Sequence, residues 1–504
     1  MRRKQQQKDR NPSPFEGYTQ SLSEMERETL ALFFEDMHSR VILPKEEARK
    51  IRADFENALL YYSSIGVPFD DALHRVSVSN LGGFYARPAM LWYALDDAAK
   101  IYPLSMRHGQ MAVFRLSVYF KQAVVPELLQ MALTFTIKRF PSFATTVKKG
   151  FFWHYLDTAK RRYTMEPETG VPCRPLQVSR SGSQSFRVVY YRNRVSIEYF
   201  HILTDGTGGM IFLKSLAAEY LRLLGEEQST GDEIWNSNGM IKEGETANEF
   251  LRAEKPEGIS GFVDKPALQI SGKLSKIKPC RVLHFKMDAS SLKHAAQSKN
   301  ATITAYILAL LFIAGKSATD ETEGDVNIQI PVNMRKFYPS DTVRNFSMYC
   351  GIRLPIGEIT DAPSIIGEIS QQLTQKASQQ SMREMMNSTG RLVSLMRYVP
   401  LSIKAPVARA VYGFLGDLTF SNTLSNLGVV KLPPQMARQI DSMDFVLGTS
   451  TTSRANCGLV TLGDTSILSI TKMTADPTFE ETLFHLLSAD GIVPVVEGSG
   501  RYEG

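Results

Sequence analysis

The sequence predicts an α/β protein with two lobes behind a helical N-terminal extension. The chain has 504 residues, more than one hydrophobic core usually accommodates, so two lobes are expected. Apolar residues recur at helical spacing between about residues 20 and 80. From about residue 90 onward, period-two strand patterns alternate with helical ones. We therefore divide the chain into a disordered basic tail (1–15), a helical extension (16–88), a first lobe (89–265) and a second lobe (266–504).

Local signals predict the elements of the extension and the first lobe. The extension begins with "SLSEMERETLALFFEDM", where Ser21 and Glu24 have the spacing of a capping box. "MAVFRLSVYF" has the alternation of a strand, and "VPELLQMALTFTIKRF" has the period of an amphipathic helix. "FRVVYYRNRVSIEYF" indicates a hairpin that turns at Arg192–Asn193. A helix follows from about Met210 to Leu224, with Gly225 at its C-terminus.

A polar stretch at about residues 226–279 is predicted to be an inter-lobe linker or excursion, and the second α/β region follows it. "RVLHFKM" and "DVNIQIPVNMR" are predicted strands, and "DASSLKHAAQSKN" is a predicted helix capped by Asp288 or Ser290. "AYILALLFIAG" is apolar on all sides, which is typical of a buried core helix, and it is too short to span a bilayer. "GLVTLGDTSILSITKM" indicates a hairpin that turns at Gly463–Asp464.

Composition excludes several classes of protein. Net charge is +6, and five Lys or Arg stand among the first ten residues, "MRRKQQQKDR". Such a run is usually a solvated tail, so we expect no nucleic-acid binding and leave membrane contact of the tail open. No apolar signal-peptide core follows it, and the four distant cysteines argue against a disulfide framework or a zinc site. We expect a cytoplasmic protein without a metal.

One short stretch, "VSIEYFHILTDGTGG", combines the residue types of a catalytic site. Strand alternation ends at His201, where the chain leaves the sheet and turns at Asp205 and Gly206. A strand end is a rigid place to hold a functional group. Neutral imidazole can take a proton from a hydroxyl or an amine near neutral pH. A packed histidine with a structural role is the alternative that these residues alone leave open.

Other chemistries lack their motifs. The sequence has no Gly-x-Ser-x-Gly elbow and no cysteine beside a histidine, so no acyl-enzyme nucleophile is evident. It also has no phosphate-binding Gly-x-x-x-x-Gly-Lys-Ser/Thr loop and no Gly-x-Gly-x-x-Gly fingerprint. The missing nucleophile favours direct transfer in a ternary complex, and the missing loops disfavour nucleotide hydrolysis and dinucleotide redox chemistry.

Several segments in order resemble the CoA-dependent acyltransferase superfamily. This group includes chloramphenicol acetyltransferase and the condensation domains of peptide synthetases. His201, Asp205 and Gly206 match its His-x-x-x-Asp-Gly signature. "LDDAAKIYP", "IPVNMRKFYPSDTVRNFSMY" and "TLSNLGVVKLP" resemble segments of a bacterial alcohol-acetyltransferase-like branch, over roughly residues 90–497. The resemblance implies two chloramphenicol-acetyltransferase-like lobes, each a mixed sheet flanked by helices, with a central channel between them.

The resemblance also implies roles for single residues. His201 matches the general base that deprotonates the acceptor. Asp205 matches an aspartate that points away from the reacting atoms and pairs with an arginine, here Arg335. Gly206 matches a glycine that leaves room for the substrate. Candidates for contacts to the oxyanion or the substrate are Asn345, Ser425 and Asn426. Many relatives carry two adjacent histidines, whereas Phe200 precedes His201 here, which weakens the match to peptide-forming condensation domains.

We predict that the protein transfers an acyl group from acyl-CoA to an alcohol or amine, and we expect this group to be acetyl. Acyl-CoA is then a co-substrate and no cofactor is bound permanently. The first alternative is a stand-alone condensation-type enzyme whose acyl donor sits on a carrier protein. The second is a catalytically silent relative that acts as a binding module through its tail and extension.

Overall fold

The structure is a computed structural model that describes residues 13–86, 91–100, 111–177, 184–227, 229–231, 233–252, 265–277, 279–411, 419–449 and 453–499. Its helices are α1 Pro14–Ser21, α2 Glu24–Arg40, α3 Lys45–Ser64, α4 Phe69–Arg75, α5 Pro126–Thr136, α6 Gly206–Leu224, α7 Ala289–Ser298, α8 Ile303–Ser317, α9 Ala362–Lys376, α10 Gln379–Leu395, α11 Leu401–Val411, α12 Pro434–Gln439 and α13 Thr478–Ala489. Its strands are β1 Trp92–Ala94, β2 Val113–Phe120, β3 Thr145–Lys149, β4 His154–Thr158, β5 Met165–Pro167, β6 Phe186–Tyr191, β7 Arg194–Phe200, β8 Arg281–Asp288, β9 Asp325–Asn333, β10 Ser347–Pro355, β11 Asn422–Val430, β12 Ile440–Leu447, β13 Ala455–Leu462, β14 Thr465–Lys472 and β15 Val495–Gly498. The basic residues 1–12 lie outside the described part.

The first lobe is built on a five-stranded sheet in the order β12-β2-β7-β6-β5. Strands β6 and β7 form the predicted hairpin, with Arg192 in the left-handed conformation at its turn (φ 52°). Strand β12 comes from the second half of the chain and pairs antiparallel with β2, Phe445 opposite Leu116. One strand from the predicted second lobe therefore completes the sheet of the first.

The second lobe is built on a seven-stranded mixed sheet in the order β10-β9-β11-β13-β14-β8-β15. Strand β11 runs parallel to both β9 and β13, and the other neighbours run antiparallel. Strands β13 and β14 form the predicted hairpin around Gly463, whose φ is +55°. Helix α8 is buried along most of its length, as its uniformly apolar sequence predicts.

A smaller three-stranded sheet, β1-β4-β3, lies outside these two. The turn between β3 and β4 contains Gly150, whose amide donates to the carbonyl of Trp153 at 2.9 Å. An added Cβ at Gly150 would stand 2.6 Å from that carbonyl oxygen, so the tight turn requires a glycine. This hairpin projects two phenylalanines, Phe151 and Phe152, into solvent.

The helical extension packs onto the first lobe and shares its core. Phe55 of α3 meets Phe135 of α5 edge to face, with ring centroids 6.0 Å apart. The hydroxyl of Tyr62 donates to the carbonyl of Leu223 at 2.6 Å. These contacts make the extension part of the folded first lobe, although it lies outside the segments that carry the resemblance.

The prediction of a mixed α/β protein with two lobes and N-terminal helices is confirmed, and two local predictions are wrong. The capping box of α2 lies at Ser23 and Glu26, two residues beyond the predicted pair. Helix α6 begins at Gly206 rather than near Met210, because Asp205 caps it and starts it one turn earlier. The predicted Gly225 end and the Asp288 cap of α7 are confirmed.

Among the described residues, no single helix has the length and apolarity to cross a bilayer. Helices α7 and α8 reach that threshold only as a pair, and the pair is bent by 81°.

Candidate active site

His201 lies directly after the last residue of β7, in the turn that leads to α6. Its backbone amide donates to the carbonyl of Ala112 at 2.8 Å, which extends the pairing between β7 and β2 by one bond. The imidazole meets the ring of Phe114 edge to face, with centroids 5.3 Å apart. Two neighbouring strands therefore hold the histidine, as expected for a group at a strand end.

The electrostatic surroundings of His201 favour the neutral imidazole. Burial of the ring lowers its pKa from the ordinary value of 6.5, because the charged form loses hydration. A hydrogen bond of the ring to its own backbone and the negative charge of Asp205 oppose this effect without reversing it. His201 nevertheless remains partly exposed. The exposure is that of the residue as a whole, and Nδ1 of the ring is buried. A neutral imidazole is a competent proton acceptor at neutral pH.

Asp205 uses both carboxylate oxygens in hydrogen bonds to the protein. Oδ1 accepts from the amides of Thr207 at 3.1 Å and Gly208 at 3.0 Å, which caps helix α6. Oδ2 accepts from Nη1 of Arg335 at 2.7 Å and from the amide of Phe346 at 2.7 Å. The residue is 3% exposed. Oδ1 therefore holds the start of α6, and Oδ2 holds the first lobe to the second.

The guanidinium of Arg335 is held just as firmly. Besides Asp205, it donates from Nη2 to the carbonyls of Thr342 and Arg344, each at 2.8 Å. Nε donates to the carbonyl of Thr342 at 3.2 Å. The arginine therefore closes the loop between β9 and β10 on itself and attaches it to the start of α6. The structure brings together the aspartate and arginine that the sequence predicts as partners.

Two further bonds connect the same segments. The hydroxyl of Thr204 donates to the carbonyl of Val343 at 2.6 Å. The amide Nδ2 of Asn333 donates to the hydroxyl of Thr207 at 3.0 Å. The turn from His201 to helix α6 is thus fixed to the second lobe at several points, and not through the ion pair alone.

The glycines of the motif permit close approach between the lobes. An added Cβ at Gly208 would stand 2.1 Å from the carbonyl oxygen of Val343. Because this oxygen belongs to the backbone, it cannot easily move away to relieve the clash. At Gly206 it would stand 2.6 Å from Cδ2 of Leu427, a side chain on β11. The space beside Gly206 is therefore occupied by a leucine of the second lobe, whereas the resemblance assigns it to the substrate.

The remaining predicted residues lie on the second-lobe side of the site. Asn345 is 2% exposed and its Oδ1 accepts from the hydroxyl of Ser347 at 2.9 Å. Within the described part of the chain, its Nδ2 donates no hydrogen bond. Asn426 donates from Nδ2 to Thr304 at 3.0 Å and accepts from the amide of Gly428 at 2.8 Å, so both ends of its amide stabilise the bulge in β11. Ser425 is 8% exposed and precedes this bulge.

One face of the β10-β9-β11 edge remains open beside this turn. Pro331, Tyr349 and Thr423 are partly exposed on three adjacent strands. The alternate residues, such as Ile330 and Leu424, belong to the core of the second lobe. These strands therefore have one packed face and one face with partly exposed residues.

Sequence reasoning missed several residues that build the site. Thr204, Gly208 and the amide of Phe346 hold the turn, and Tyr199 donates from its hydroxyl to the carbonyl of Gly209 at 2.8 Å. Thr204 stands within the motif and Gly208 two residues after it, so their position is a signal. The amide of Phe346 carried none, since a backbone donor has no sequence signature.

Comparison of the structure with solved structures gives matches in fold at low sequence identity. TRI101 of F. graminearum, solved with coenzyme A and T-2 mycotoxin, aligns at a TM-score of 0.55 with 9% identity, covering 80% of this chain and 100% of that one. The trichothecene 15-O-acetyltransferase of Fusarium sporotrichioides aligns at 0.50 with 13% identity, covering 79% and 94%. The first condensation domain of the calcium-dependent antibiotic synthetase aligns at 0.52 with 13% identity, covering 81% and 100%.

No family model matches the sequence, and no curated protein does. At these identities the likenesses establish the fold. The structure therefore confirms the resemblance seen in the sequence at the level of the fold: the chain has the two-lobed fold of these acetyltransferases and condensation domains.

Proposed function

We propose that the protein transfers an acyl group from acyl-CoA to the hydroxyl or amine of a small acceptor. We expect this group to be acetyl. The observation that carries this proposal is that two residues of one turn have different surroundings. His201 is neutral and partly exposed. Asp205, four residues later, gives both oxygens to the protein.

In the proposed reaction, His201 takes the proton from the acceptor as its oxygen or nitrogen attacks the thioester carbonyl. The bond from the acceptor to the carbonyl carbon forms, and the carbonyl π electrons move to oxygen. The oxyanion then collapses, the carbon–sulfur bond breaks, and the thiolate of CoA receives the proton from the imidazolium. The products are the ester or amide and free CoA, and no acyl-enzyme is formed.

Asp205 and Arg335 act as positioning residues in this proposal. Their ion pair is buried and sets the position of the turn that carries His201. The developing oxyanion needs a hydrogen-bond donor, which contributes about 3–4 kcal/mol in comparable sites. We assign this role to Ser425, because Asn426 is occupied in the β11 bulge. Asn345 remains the second candidate, since its buried Nδ2 donates no hydrogen bond within the described residues.

The central channel that the resemblance implies belongs to this proposal as well. Partial exposure of His201 and the open face of the β10-β9-β11 edge support it. Two structural neighbours were solved with coenzyme A and a mycotoxin, which supports a CoA thioester as donor and a small molecule as acceptor. The narrower assignment to the alcohol-acetyltransferase-like branch stays a prediction.

The decisive experiment measures free thiol released from acetyl-CoA in the presence of a panel of alcohols and amines. We expect acceptor-dependent release by the wild-type protein and none by His201→Ala. A parallel series offers the same acyl groups on a phosphopantetheinylated carrier protein. Transfer from the carrier alone would replace CoA by the condensation-type alternative, and no transfer from either donor would favour the catalytically silent one.

A further inference from the structure

The turn between β3 and β4 carries an exposed aromatic pair remote in sequence from the motif. Phe151 is 72% exposed and Phe152 is 37% exposed. Their rings pack edge to face with centroids 4.8 Å apart. Large apolar side chains at the end of a hairpin cost free energy while they are exposed to water, and a partner that covers them recovers it.

Two helices of the second lobe add to this pair. The amide of Leu401, the first residue of α11, donates to the carbonyl of Phe151 at 2.9 Å. Tyr398 is 74% exposed and its ring lies 6.4 Å from that of Phe152. Leu395 and Ile403 are also mostly exposed. We call the set Phe151, Phe152, Leu395, Tyr398 and Ile403 the aromatic tip.

The aromatic tip has a rigid base. The ammonium of Lys404 lies 3.2 Å from the centroid of the Trp153 ring and donates to the carbonyl of Met396 at 3.1 Å. Lys404 is 3% exposed although it directly follows the exposed Ile403 of the tip. The hairpin and the helices are therefore already joined, and covering the tip needs no ordering of a loose segment.

The surroundings of the tip are basic. Lys149 on β3 and Arg397 beside Tyr398 are exposed, and the guanidinium of Arg397 lies 5.3 Å from the Tyr398 ring centroid. The only acid of the hairpin, Asp157, pairs with Lys148 at 2.6 Å. Between Glu384 and Asp417 the sequence contains no Asp or Glu. The natural occupant of such a surface is apolar at its centre and negatively charged around it.

We propose that the aromatic tip docks the protein on the surface of an anionic lipid bilayer. Phenylalanine and leucine side chains enter the boundary of the acyl chains, tyrosine lies at the headgroup level, and Lys149 and Arg397 contact lipid phosphates. A lipid surface fits better than a protein partner, because projecting side chains on a turn need a deformable layer that closes around each of them.

The same sheet touches the candidate active site. Arg344, in the loop that holds Asp205, donates through its guanidinium to the carbonyl of Ala94 on β1. Strand β1 pairs with β4, whose hairpin carries the tip. Docking is independent of the proposed chemistry, so its test does not depend on acyl transfer.

The test is sedimentation of the full-length protein with vesicles of phosphatidylcholine and with vesicles in which about one lipid in four is phosphatidylglycerol. We expect binding to the anionic vesicles, lowered at least about tenfold by Phe151→Ser/Phe152→Ser. Lys149→Gln/Arg397→Gln should lower it by a similar factor on the anionic vesicles alone. The matched control Met25→Ser/Leu32→Ser, which removes two exposed apolar side chains from α2, should bind as the wild type does.

Unchanged thermal unfolding of all three double variants shows that each is folded. Equal binding by the Phe151→Ser/Phe152→Ser variant and the wild type would overturn the proposal and assign membrane contact to the basic tail. Absence of binding to either vesicle would overturn it too. A dimer that only the wild type forms, without vesicle binding, would instead identify a second copy of the chain as the occupant.

Discussion

Arg335 reaches Asp205 across the boundary between the lobes, with Nη1 2.7 Å from Oδ2, although 130 residues separate them in the chain. Both side chains are nearly buried. Truncating one partner leaves the other charge buried without compensation, which costs about 3–5 kcal/mol. We therefore expect Asp205→Ala to lower the free energy of unfolding by about that amount in urea titrations, and to lower activity as well.

The exposed pair Arg40–Asp36 on α2 is the matched control, with the same charges at 2.8 Å. Asp36→Ala should change stability by less than about 1 kcal/mol, because exposed ion pairs contribute little. Equal effects of Asp205→Ala and Asp36→Ala would show that the inter-lobe pair does not hold the site.

His201→Ala should have the opposite profile. Since the imidazole is the proposed base, its loss should lower kcat about 10²–10⁴-fold in the thiol-release assay. Thermal unfolding should change less than in Asp205→Ala, because His201 is partly exposed and carries no buried charge. His294→Ala, on the exposed face of α7, is the control and should retain wild-type activity. A His201→Ala protein that unfolds while Asp205→Ala is silent would reverse the two roles.

The pH dependence follows from the direction of the His201 shift. Burial lowers the pKa of the ring below 6.5, so the neutral base persists at pH values where a solvated histidine is half charged. We expect kcat/KM to be level above pH 6.5 and to fall on acidification with a midpoint below it. A midpoint at or above 7 would mean that another group titrates in the rate.

Gly208 should tolerate no side chain. In Gly208→Ala the Cβ would stand 2.1 Å from the backbone carbonyl of Val343, so the lobes must separate or the helix start must shift. We expect a loss of more than about 3 kcal/mol or a failure to fold. The control is Gly367→Ala in the middle of α9, where nothing lies within 4 Å of the added atom. That change should stabilise the protein by about 0.5–1 kcal/mol.

Asp96 provides a test of burial at the edge of the site. It is 1% exposed, and burial raises its pKa from 3.8 to about 6, partly opposed by Arg344. The folded protein then holds a proton that the unfolded chain releases between about pH 4 and 6, so stability falls as pH rises through this window. Asp96→Asn should therefore be more stable than the wild type at pH 8, by about 1–3 kcal/mol, and equal to it near pH 4.

Urea unfolding midpoints at the two pH values check this prediction. Oδ1 of Asp96 accepts from the amide of Ala99 at 2.7 Å, a bond that asparagine can keep. A variant less stable than the wild type at pH 8 would mean that the attraction between Asp96 and Arg344 outweighs the cost of burial.

Much of the fold could be predicted from the sequence because its signals are local. The turn at Arg192 and the uniformly apolar helix α8 require only neighbouring residues, and both predictions are confirmed. The predicted start of α6 near Met210 is one turn too late, because the sequence indicates only a distant partner for Asp205. In the structure the same carboxylate caps the helix as well, and a glycine-rich stretch reads as a loop until that cap is known.

The site was predictable in its principal pair and not in its surroundings. Asp205 and Arg335 lie together as the resemblance implies. The position of Leu427 beside Gly206 depends on a bulge in β11, which follows from strand pairing over long sequence distances. Likewise, no period or motif within residues 440–447 indicates that β12 joins the first sheet. Both features arise from tertiary packing, which a pattern along the sequence does not encode.

Strand β12 gives the architecture a consequence for cutting and engineering the molecule. Because β12 of the second half pairs with β2 of the first, the first half encoded separately lacks one strand of its sheet, and the second half carries β12 without its neighbour. Proteolytic nicking between the halves should leave two fragments that co-migrate until denaturant is added. The pairing of β12 with β2 also restrains a hinge-like opening between the lobes. We therefore expect ligands to enter without separation of the lobes at this strand.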